Sequence, residues 1–462
     1  MLSALKKIRA TRKGKALASA GIALSMLLAA CGSGGSGSNS SGPAGPSGGG
    51  GGGGGLAPSG GGGGAAGNGT NGNLGWFFWT GSPGETTVWQ HNAALVNKQY
   101  PKLHVSLTTT SFSDFWSKLP LEASTHSMPC IAGLQYGYVG ADHNLYMPLN
   151  SLIKKAHYSL KPFEEAMIKE LSYNGNLLAL PYDFGPVVIA YNKKLFQQKG
   201  VPAPKNGWTW SQFLQDAKKL TGGGDYGYVP GVSLELAYDL TGTPDAYVQG
   251  GKFNLTNSTF EKGVQEQAEL SYKYHVSPTF SEAPNWVIQE FDSGKAGMEV
   301  AGPWDLIDFK AVSNFPTGWV DFPSGPDGMH TYNEGSGFGI TKDCKDPSAA
   351  FKALTVLVSS SALGYAGAHG RAFPARLADD PQWSKFAGSN AGPVMAAALK
   401  NAQPQEVTTN WTAFQTALTK YEPLVLSGKI SAAKFAQEVQ ASSGAGKGAS
   451  PGNLSSLLGN GG

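Results

Sequence analysis

The stretch that decides the fold is GNLLALPYDFGPVVIAYNKKLFQQKGVPAPKNGWTWSQFLQDAKKL, residues 175–220. Residues 185–191 form an apolar, partly β-branched run between turn residues, which predicts a buried strand. Thr209 precedes apolar residues at positions 210, 213, 214, 217 and 220, which share one face of a helix. Gln212 stands three residues after Thr209, so the pair predicts a capping box at the start of that helix. The stretch thus predicts a strand, a short helix, a loop and an amphipathic helix.

Strand and helix patterns alternate along the rest of the chain. The aromatic run at 74–80 predicts a first strand, and a helix from about Thr86 carries one apolar face made by Trp89, Ala93, Val96 and Tyr100. Asp346 and Pro347 suit the N-cap and first turn of a later helix. Outside the low-complexity ends roughly 370 residues remain, which exceeds one usual core and suits two lobes. The sequence therefore predicts an α/β fold with largely parallel sheets.

Four segments of the opening stretch follow one another in an order typical of a known family: LALPYDFGP, VVIAYNKKLF, KGVPAPKNG and WTWSQFLQDAKKL. They resemble the signature region of extracellular solute-binding proteins of ABC importers, in the sugar-type group of family 1 solute-binding lipoproteins. The segments FDSGKAGMEVAGPWDL and NEGSGFGITKDCKDPSAAFKALTVL are also similar to this family. Trp208 and Cys344 depart from it, because the family often has a proline and a small polar residue there. The resemblance covers about residues 74–440.

The resemblance implies a two-lobed, periplasmic-binding-protein-like fold of type II. Each lobe would be a mainly parallel sheet flanked by helices, and crossing segments would hinge the two. Lobe 1 would comprise 74–182 plus about 312–362, and lobe 2 would comprise 183–311 plus about 363–442. The chain would cross between the lobes near 181–183, from 304 to about 334, and near 359–371.

The N-terminal segment predicts export and a lipid anchor. Six basic residues precede an apolar run at 16–30 that is too short to span a bilayer, which is typical of a signal peptide at 1–30. The run ends LLAAC, which resembles the bacterial lipobox, so Cys31 would become the lipidated first residue; an uncleaved membrane anchor is the alternative. Composition predicts a disordered Gly/Ser-rich tether at 31–73 and a disordered tail at 443–462. The predicted location is extracytoplasmic, anchored to the cell membrane by the N-terminal lipid.

The charge pattern argues against several ligand classes. The chain has a net charge of +3, but the six basic residues before Cys31 are matched by no acidic residue, so the remainder carries a net charge of −3. That balance does not indicate a nucleic-acid surface. Arg371 and Arg376 are the only arginines after Cys31, which argues against strongly anionic ligands. No acidic cluster is apparent in the sequence, which argues against polyamines.

Candidate ligand-binding residues come from strand ends and from the resemblance. Ligands of doubly wound sheets meet the carboxyl ends of strands, which selects the residues after the first strand and after MEVAG. In the resembling family, the tryptophan of the G-P-W segment commonly lies under a bound sugar. An aromatic ring covers the C–H face of a sugar, and polar groups satisfy its hydroxyls. The predicted site comprises Trp79, Thr80, Tyr136, Tyr182, Asp183, Trp304, Gly335 and Ser336.

These candidates also have purely structural interpretations. A tryptophan or tyrosine of this chain is more often part of the core than of a site, and Asp183 could cap a turn. Gly335 and Ser336 could form a turn where the chain crosses between lobes. In an exported protein Cys130 and Cys344 could form a disulfide, and the family layout would place both in lobe 1.

Catalytic and metal chemistry find little support in the sequence. No pair of carboxylates stands out as a glycoside hydrolase would require. The pattern G-x-S-x-G occurs at 448–452, but in the predicted tail, without the strand and helix that a nucleophile needs around it. The eight histidines are scattered, with no H-E-x-x-H and no close Cys/His grouping. We therefore predict no catalytic residue, no metal, no cofactor and no enzymatic activity.

The resemblance implies a function in import. The chain would be the extracytoplasmic substrate-binding component of an ABC transporter. It would capture a sugar or oligosaccharide in an interlobe cleft, as a monomer, and deliver it to the transmembrane permease subunits. A surface-anchored carbohydrate sensor and an envelope glycan-active enzyme are the alternatives.

Overall fold

The computed structural model describes residues 67–229, 248–249, 252–279, 291–313, 315–325, 328–388, 390–404, 408–444, 450 and 452–458. The predicted signal peptide, the predicted lipidation site Cys31 and most of the predicted tether lie outside the described residues.

The described strands are β1 (Asn73–Trp79), β2 (His104–Thr110), β3 (Ile131–Gln135), β4 (Ser172–Tyr173), β5 (Asn176–Leu177), β6 (Ala179–Pro186), β7 (Val188–Asn192), β8 (Val248–Gln249), β9 (Lys252–Phe253), β10 (Met298–Ala301), β11 (Thr317–Val320), β12 (Thr331–Ile340) and β13 (Ala402–Pro404). The described α-helices are α1 (Pro83–Gln99), α2 (Phe112–Ser124), α3 (Val139–Asp142), α4 (Asn150–Lys155), α5 (Glu165–Glu170), α6 (Lys193–Gln198), α7 (Trp210–Leu220), α8 (Ser258–Tyr272), α9 (Leu306–Val312), α10 (Pro347–Leu357), α11 (Ser360–Ala368), α12 (Asp380–Ala387), α13 (Ala391–Asn401), α14 (Trp411–Leu426), α15 (Ala432–Ser443) and α16 (Ser455–Leu458). Within the described ranges no single helix is both long and apolar enough to cross a membrane; only the pair α10 and α11, bent by 46°, reaches that length and composition together.

The larger sheet has six strands in the order β13–β12–β3–β1–β2, with β6 also paired to β12. Strand β1 is parallel to both β2 and β3. The carboxyl ends of these three strands therefore meet at one edge of the sheet, where Trp79 ends β1 and Gln135 ends β3. Strand β12 runs antiparallel to β3 and β6, and it brings residues 334–336 to the same edge.

The smaller sheet has three strands, with β7 between β10 and β11. Both neighbours are antiparallel to β7, so the predicted mainly parallel arrangement is wrong for this sheet. The apolar run of β7 indicated a buried strand, but burial does not fix the direction of the strands beside it. One face of the sheet packs on α7, where Ile189 and Tyr191 share a core with Phe213 and Leu220.

The passages of the chain between the two sheets differ in part from the prediction. Only Val187 separates β6 from β7, so the first passage lies there and not at 181–183. Strand β11 pairs with β7, which assigns 317–320 to the smaller sheet and makes the predicted boundary at about 312 too early. The second passage lies between β11 and β12, inside the predicted segment. The passage near 359–371 and the remaining lobe boundaries stay predictions.

Local signals in the sequence are confirmed where capping residues carry them. Thr209 caps α7 and forms the predicted capping box, because its side chain accepts from the Gln212 amide while Gln212 Oε1 accepts from the Thr209 amide. Asp346 caps α10, with Pro347 in its first turn. On α1, Trp89, Ala93 and Val96 are buried as one face, and Tyr100 forms the C-cap.

A disulfide joins Cys130, just before β3, to Cys344, just after β12. The chain enters the folded body beside it, since Gly67 O accepts from the Cys130 amide (3.3 Å) and Asn68 O accepts from the Lys345 amide (2.7 Å). The predicted disordered tether is therefore wrong for residues 67–73. These residues are ordered because their backbone pairs with the larger sheet, although their side chains offer little to bury.

Removing the disulfide should lower stability measurably. The two cysteines are 214 residues apart in sequence, so the bond restricts a long stretch of the unfolded chain. We expect the double substitution Cys130→Ala, Cys344→Ala to lower the free energy of unfolding by about 2–4 kcal/mol. Urea denaturation of both proteins measures this. A reductant should shift the wild-type midpoint and leave the midpoint of the variant in place; equal stability of the two proteins would contradict the prediction.

The C-terminal tail is also partly ordered, contrary to the prediction for 443–462. Ser450 O accepts from the Asn174 amide at 2.8 Å, and Leu454 is buried. Leu457 and Leu458 of helix α16 are partly buried against the core, and they border a cavity of about 780 Å³ whose lining also includes residues of α4 and α5. A few apolar side chains are enough for this docking, although the composition of the whole tail is poor in them.

Candidate ligand-binding site

A small cavity lies at the carboxyl edge of the larger sheet, beneath the 3₁₀ turn Pro303–Asp305 that follows β10. Its volume is about 40 Å³, enough for a few water molecules. The lining residues are Trp79, Glu85, Phe112, Gln135, Tyr182, Asp183, Trp304, Glu334, Gly335, Ser336 and Arg371. Among these, Trp304 alone follows a strand of the smaller sheet. The cavity therefore lies where the two sheets face each other.

Six of the eight predicted site residues line this cavity: Trp79, Tyr182, Asp183, Trp304, Gly335 and Ser336. Tyr136 does not line the cavity, but its hydroxyl donates to Oε1 of the lining residue Glu334 at 2.9 Å. Thr80 does not line the cavity; its amide continues the β1–β2 pairing to Thr110 O, and its hydroxyl oxygen accepts from Thr86. The structure thus brings the predicted residues to one place, with Thr80 at its margin.

An irregularity in strand pairing explains why adjacent residues of β6 both reach the cavity. Asp183 pairs with Ser336 and Pro181 with Gly337, so the register shifts and Tyr182 is the extra residue. Such a bulge turns side chains away from strict alternation. The Asp183 carboxylate then accepts from the Ser336 amide at 2.9 Å. The hydroxyl end of Tyr182 lies beside Arg371, with 3.5 Å between Nη2 and Oη.

Trp79 and Tyr182 are mainly core residues, although both also line the cavity. Tyr182 stacks on Phe338 with a centroid distance of 4.6 Å, and Trp79 meets Phe115 edge-to-face at 5.0 Å. Trp304, in contrast, is half-buried, and its Nε1 has no hydrogen-bond partner among the described residues. The indole face is thus available for stacking, while its buried N–H donor is directed along the ring plane.

Arg371 is the centre of a buried charge network that sequence reasoning did not place in the site. It is 3% exposed, and its guanidinium lies 3.1 Å from Glu85 Oε1 and 3.6 Å from Asp183 Oδ2. The guanidinium also lies 5.1 Å from the centroid of Trp89. Glu85 in turn accepts from the Gly81 amide at 3.0 Å. The network links α1, β6 and the segment after α11. It thereby holds the lining residues Glu85, Asp183 and Arg371 in fixed positions.

Burial raises the pKa of both carboxyl groups in this network. The pKa of Glu85 rises from 4.5 to about 7 because burial outweighs the attraction of Arg371. The pKa of Asp183 rises from 3.8 to about 7 for the same reason, even though Arg371 and the Ser336 amide oppose the shift. The charge of the site therefore changes near neutral pH.

Close approach of the backbone holds the Trp304 ring in position. A Cβ added to Gly302 would lie 2.2 Å from atoms of the indole, and one added to Gly185 would lie 2.3 Å from Pro303. Trp383 donates from Nε1 to Pro303 O at 2.8 Å, which supports the turn from below. The glycines thus allow the indole to fold back over Gly302 and to face the cavity.

Substitution of Gly302 should displace Trp304. We expect Gly302→Ala to lower the free energy of unfolding, or that of ligand binding, by about 1–3 kcal/mol, because the new methyl group forces the indole out of its present position. Gly84→Ala is the matched control, since a Cβ there meets Ile307 at an ordinary 3.5 Å. Tryptophan fluorescence and ligand titration of both variants measure the effect. An unchanged emission spectrum and unchanged affinity in Gly302→Ala would show that the ring does not depend on this glycine.

No group of three or more His, Cys, Asp or Glu side chains among the described residues is arranged to hold a metal ion. The lining instead combines aromatic edges with hydrogen-bonding carboxylates, an amide and a hydroxyl. Such a lining suits a neutral or cationic solute with hydroxyl groups.

A family model described as bacterial extracellular solute-binding protein matches residues 80–363, more than half of the chain. The chain belongs to this family. The family resemblance of the sequence is thereby confirmed, and members of the family are extracellular binding proteins. No curated protein sequence matches this solute-binding protein.

Solved structures of similar fold align with most of the solute-binding protein. An ABC substrate-binding protein from Listeria monocytogenes in complex with cycloalternan aligns with a TM-score of 0.74 and 19% identity, over 80% of this chain and 97% of the other. Maltose-bound MalE3 of T. maritima aligns with a TM-score of 0.69 and 18% identity, over 80% and 98%. The maltose-maltodextrin binding protein of Alicyclobacillus acidocaldarius aligns with a TM-score of 0.67 and 22% identity, over 80% and 99%. These likenesses confirm the predicted α/β fold of the two-lobed periplasmic-binding-protein type.

Proposed function

We propose that this solute-binding protein captures a sugar or oligosaccharide outside the cell and delivers it to the permease of an ABC transporter. The observation that carries the proposal is the cavity itself. Trp304 faces it from the side of the smaller sheet, and carboxylates, an amide and a hydroxyl face it from the larger sheet. Aromatic faces cover the C–H face of a sugar, while such polar groups accept from its hydroxyls. The solved structures of similar fold include proteins in complex with cycloalternan and with maltose.

Capture requires the two sheets to separate and close again. A cavity of about 40 Å³ holds water but no sugar ring, so a sugar could be accommodated only if the two sides move apart. Val187 and the segment between β11 and β12 are the connections on which the two sides would hinge. A ligand that touches both sides favours closure because it gains the contacts of Trp304 only in the closed state. The permease would then recognise the closed surface.

The proposal includes an anchor and excludes catalysis. Cys31 would carry the lipid, the residues between it and Gly67 would form the tether, and the body would act as a monomer. The lining carboxylates Glu85 and Asp183 face Arg371, and we assign them a binding and structural role.

A thermal-shift screen of the full-length protein against neutral mono- and oligosaccharides tests the proposal. A ligand that binds only the folded state raises stability by about 2.7 kcal/mol at a hundredfold excess over Kd. We expect at least one sugar to raise the Tm, and the same sugar to be recovered unchanged after incubation. Failure of every sugar would overturn the proposed cargo, and release of hydrolysis products would overturn the binding role.

A further inference from the structure

Gln135 lines the cavity from the carboxyl end of β3, and its side-chain amide is fixed in one orientation. Its Oε1 accepts from the Gly137 amide at 3.0 Å, which caps the 3₁₀ turn Tyr136–Tyr138. A Cβ added to Gly137 would lie 3.0 Å from this oxygen and 2.8 Å from the Trp411 ring, so the turn packs closely against the amide. The reversed amide would set two donors against each other. The NH₂ group therefore points away from the turn.

The NH₂ group of Gln135 is a buried donor without an acceptor. The residue is 8% exposed, and within the described ranges its Nε2 donates no hydrogen bond. Two other donors of the lining are already engaged, since the Ser336 amide donates to Asp183 at 2.9 Å and the Arg371 guanidinium faces Glu85 and Asp183. A buried donor is normally paired with protein or with water. A cavity of about 40 Å³ has room for such water, which an oxygen atom of the cargo would replace.

Strand register places Gln135 in one row with two further lining residues. Ser336 of β12 is the direct partner of Gln135 on one side and of Asp183 on the other. Residues that lie opposite each other in a ladder point to the same face of the sheet. The row covers two strand spacings, about 9–10 Å from end to end. A sugar lying across it would meet an NH₂ donor at one end and a carboxyl group at the other.

We propose that Gln135 is a specificity-determining residue of the site and donates from Nε2 to an oxygen atom of the cargo. The inference rests on the proposed function and adds a requirement to it. A carboxylate binds a sugar hydroxyl that donates, whereas the NH₂ group of Gln135 binds one that accepts. A cargo without oxygen at this position would expel the water and leave the donor unpaired, which should weaken binding roughly ten- to hundredfold. The site thus selects sugars by the position of one accepting oxygen.

Deoxy and deoxyfluoro sugars test this requirement, because fluorine accepts a hydrogen bond weakly and cannot donate one. Glucose, galactose, mannose and maltose are titrated into the full-length protein, each beside analogues in which one hydroxyl is replaced by hydrogen or by fluorine. We expect one position at which the deoxy analogue binds roughly ten- to hundredfold weaker than the parent and the fluoro analogue lies between the two. Where a carboxylate receives the hydroxyl, the two analogues should bind equally weakly.

Two substitutions assign that position to Gln135. Gln135→Glu keeps an oxygen for the Gly137 amide but replaces the donor by an acceptor. The fluoro analogue should then become the weakest binder of the three, since the parent hydroxyl can turn and donate while fluorine cannot. Gln135→Met removes both ends of the amide, so parent and deoxy analogue should bind within about threefold of each other. Gln197→Glu is the matched control with wild-type ratios, because Gln197 is exposed on α6.

A merely structural role of Gln135 would weaken the parent and both analogues equally and leave their ratios unchanged. Wild-type ratios that persist in Gln135→Glu and Gln135→Met would therefore overturn the inference and leave the proposed function intact. Equal losses from hydrogen and fluorine at every position of the sugars that bind would do the same. Failure of all four parent sugars in the wild type would overturn the proposed cargo, and the inference with it.

Discussion

Arg371→Met should lower the free energy of unfolding by about 3–5 kcal/mol at pH 8, the largest effect that we expect from a single substitution. Methionine fills much of the same space, but it leaves Glu85 and Asp183 buried at 3% exposure each without their cation. Unpaired buried charge is far more costly than the pair itself contributes. Urea denaturation at fixed pH measures the loss.

The loss should shrink as the pH falls. The pKa values of Glu85 and Asp183 are raised to about 7 in the folded protein, from 4.5 and 3.8. Each group therefore contributes stability that is fully present below its unfolded value and is lost as the pH rises through about 7. Without Arg371 both pKa values rise further, so at pH 5 both groups are protonated and need no cation. We expect the wild type itself to be less stable at pH 8 than at pH 5.

Arg376→Met is the matched control. Arg376 lies five residues on, and its side chain is 20% exposed. It lies 3.8 Å from Asp379 as its one carboxylate ion-pair partner among the described residues, and it also contacts Val358 O and the Phe163 ring. Its loss should cost about 1 kcal/mol or less, with little dependence on pH. Similar losses for the two variants at pH 8, or a loss in Arg371→Met that is the same at both pH values, would contradict the network described here.

Trp304→Ala should weaken cargo binding by about 3–4 kcal/mol, which corresponds to a hundredfold or larger loss of affinity. Trp304 is the described lining residue that reaches the cavity from the side of the smaller sheet. Its removal therefore takes away both the stacking area and the contact that favours the closed state. Isothermal titration with the sugar found in the thermal-shift screen measures the loss.

Two variants give this measurement its controls. Trp304→Phe keeps a flat ring but lacks the unpartnered Nε1, so we expect an intermediate affinity. Trp210→Ala removes a tryptophan that packs on Phe213, at the start of α7 and away from the cavity. It should lower the Tm without changing the affinity. An undiminished affinity in Trp304→Ala would exclude this residue from the site.

Much of the fold could be predicted because its signals are local. The capping box of Thr209 and Gln212, the N-cap of Asp346 and the buried face of α1 each depend on residues within one or two turns. The direction of β10 and β11 beside β7 could not be predicted, because it depends on the path by which segments far away in sequence come to pair with β7. A β-bulge at Tyr182 is equally invisible, since it exists only relative to β12.

The site likewise contains residues that local signals predicted and residues that only the fold brings together. Trp304 follows a strand end and stands in a family-like segment, so two independent signals selected it. Arg371 had one signal, its rarity among the residues after Cys31, and that signal was used only to exclude anionic ligands. Its partners Glu85 and Asp183 are far away in sequence, and their meeting depends on the whole larger sheet. Charge networks of this kind require the fold before they can be seen.

The point where the chain enters the body has a mechanical consequence. A pull on residues before Gly67 first loads the entry segment, which doubles back on the start of β1 through Asn68 and Leu74. Strand β1 itself lies in the interior of the larger sheet between two parallel partners. Extraction of this strand requires its ladders to β2 and β3 to shear together, since the load is shared across them rather than applied to one bond at a time. The covalent link at Cys130 and Cys344 lies beside the same point of entry. A force on the N-terminal side would thus reach the ladders of β1 only after the backbone bonds of the entry segment have broken, at the opposite end of β1 from Trp79.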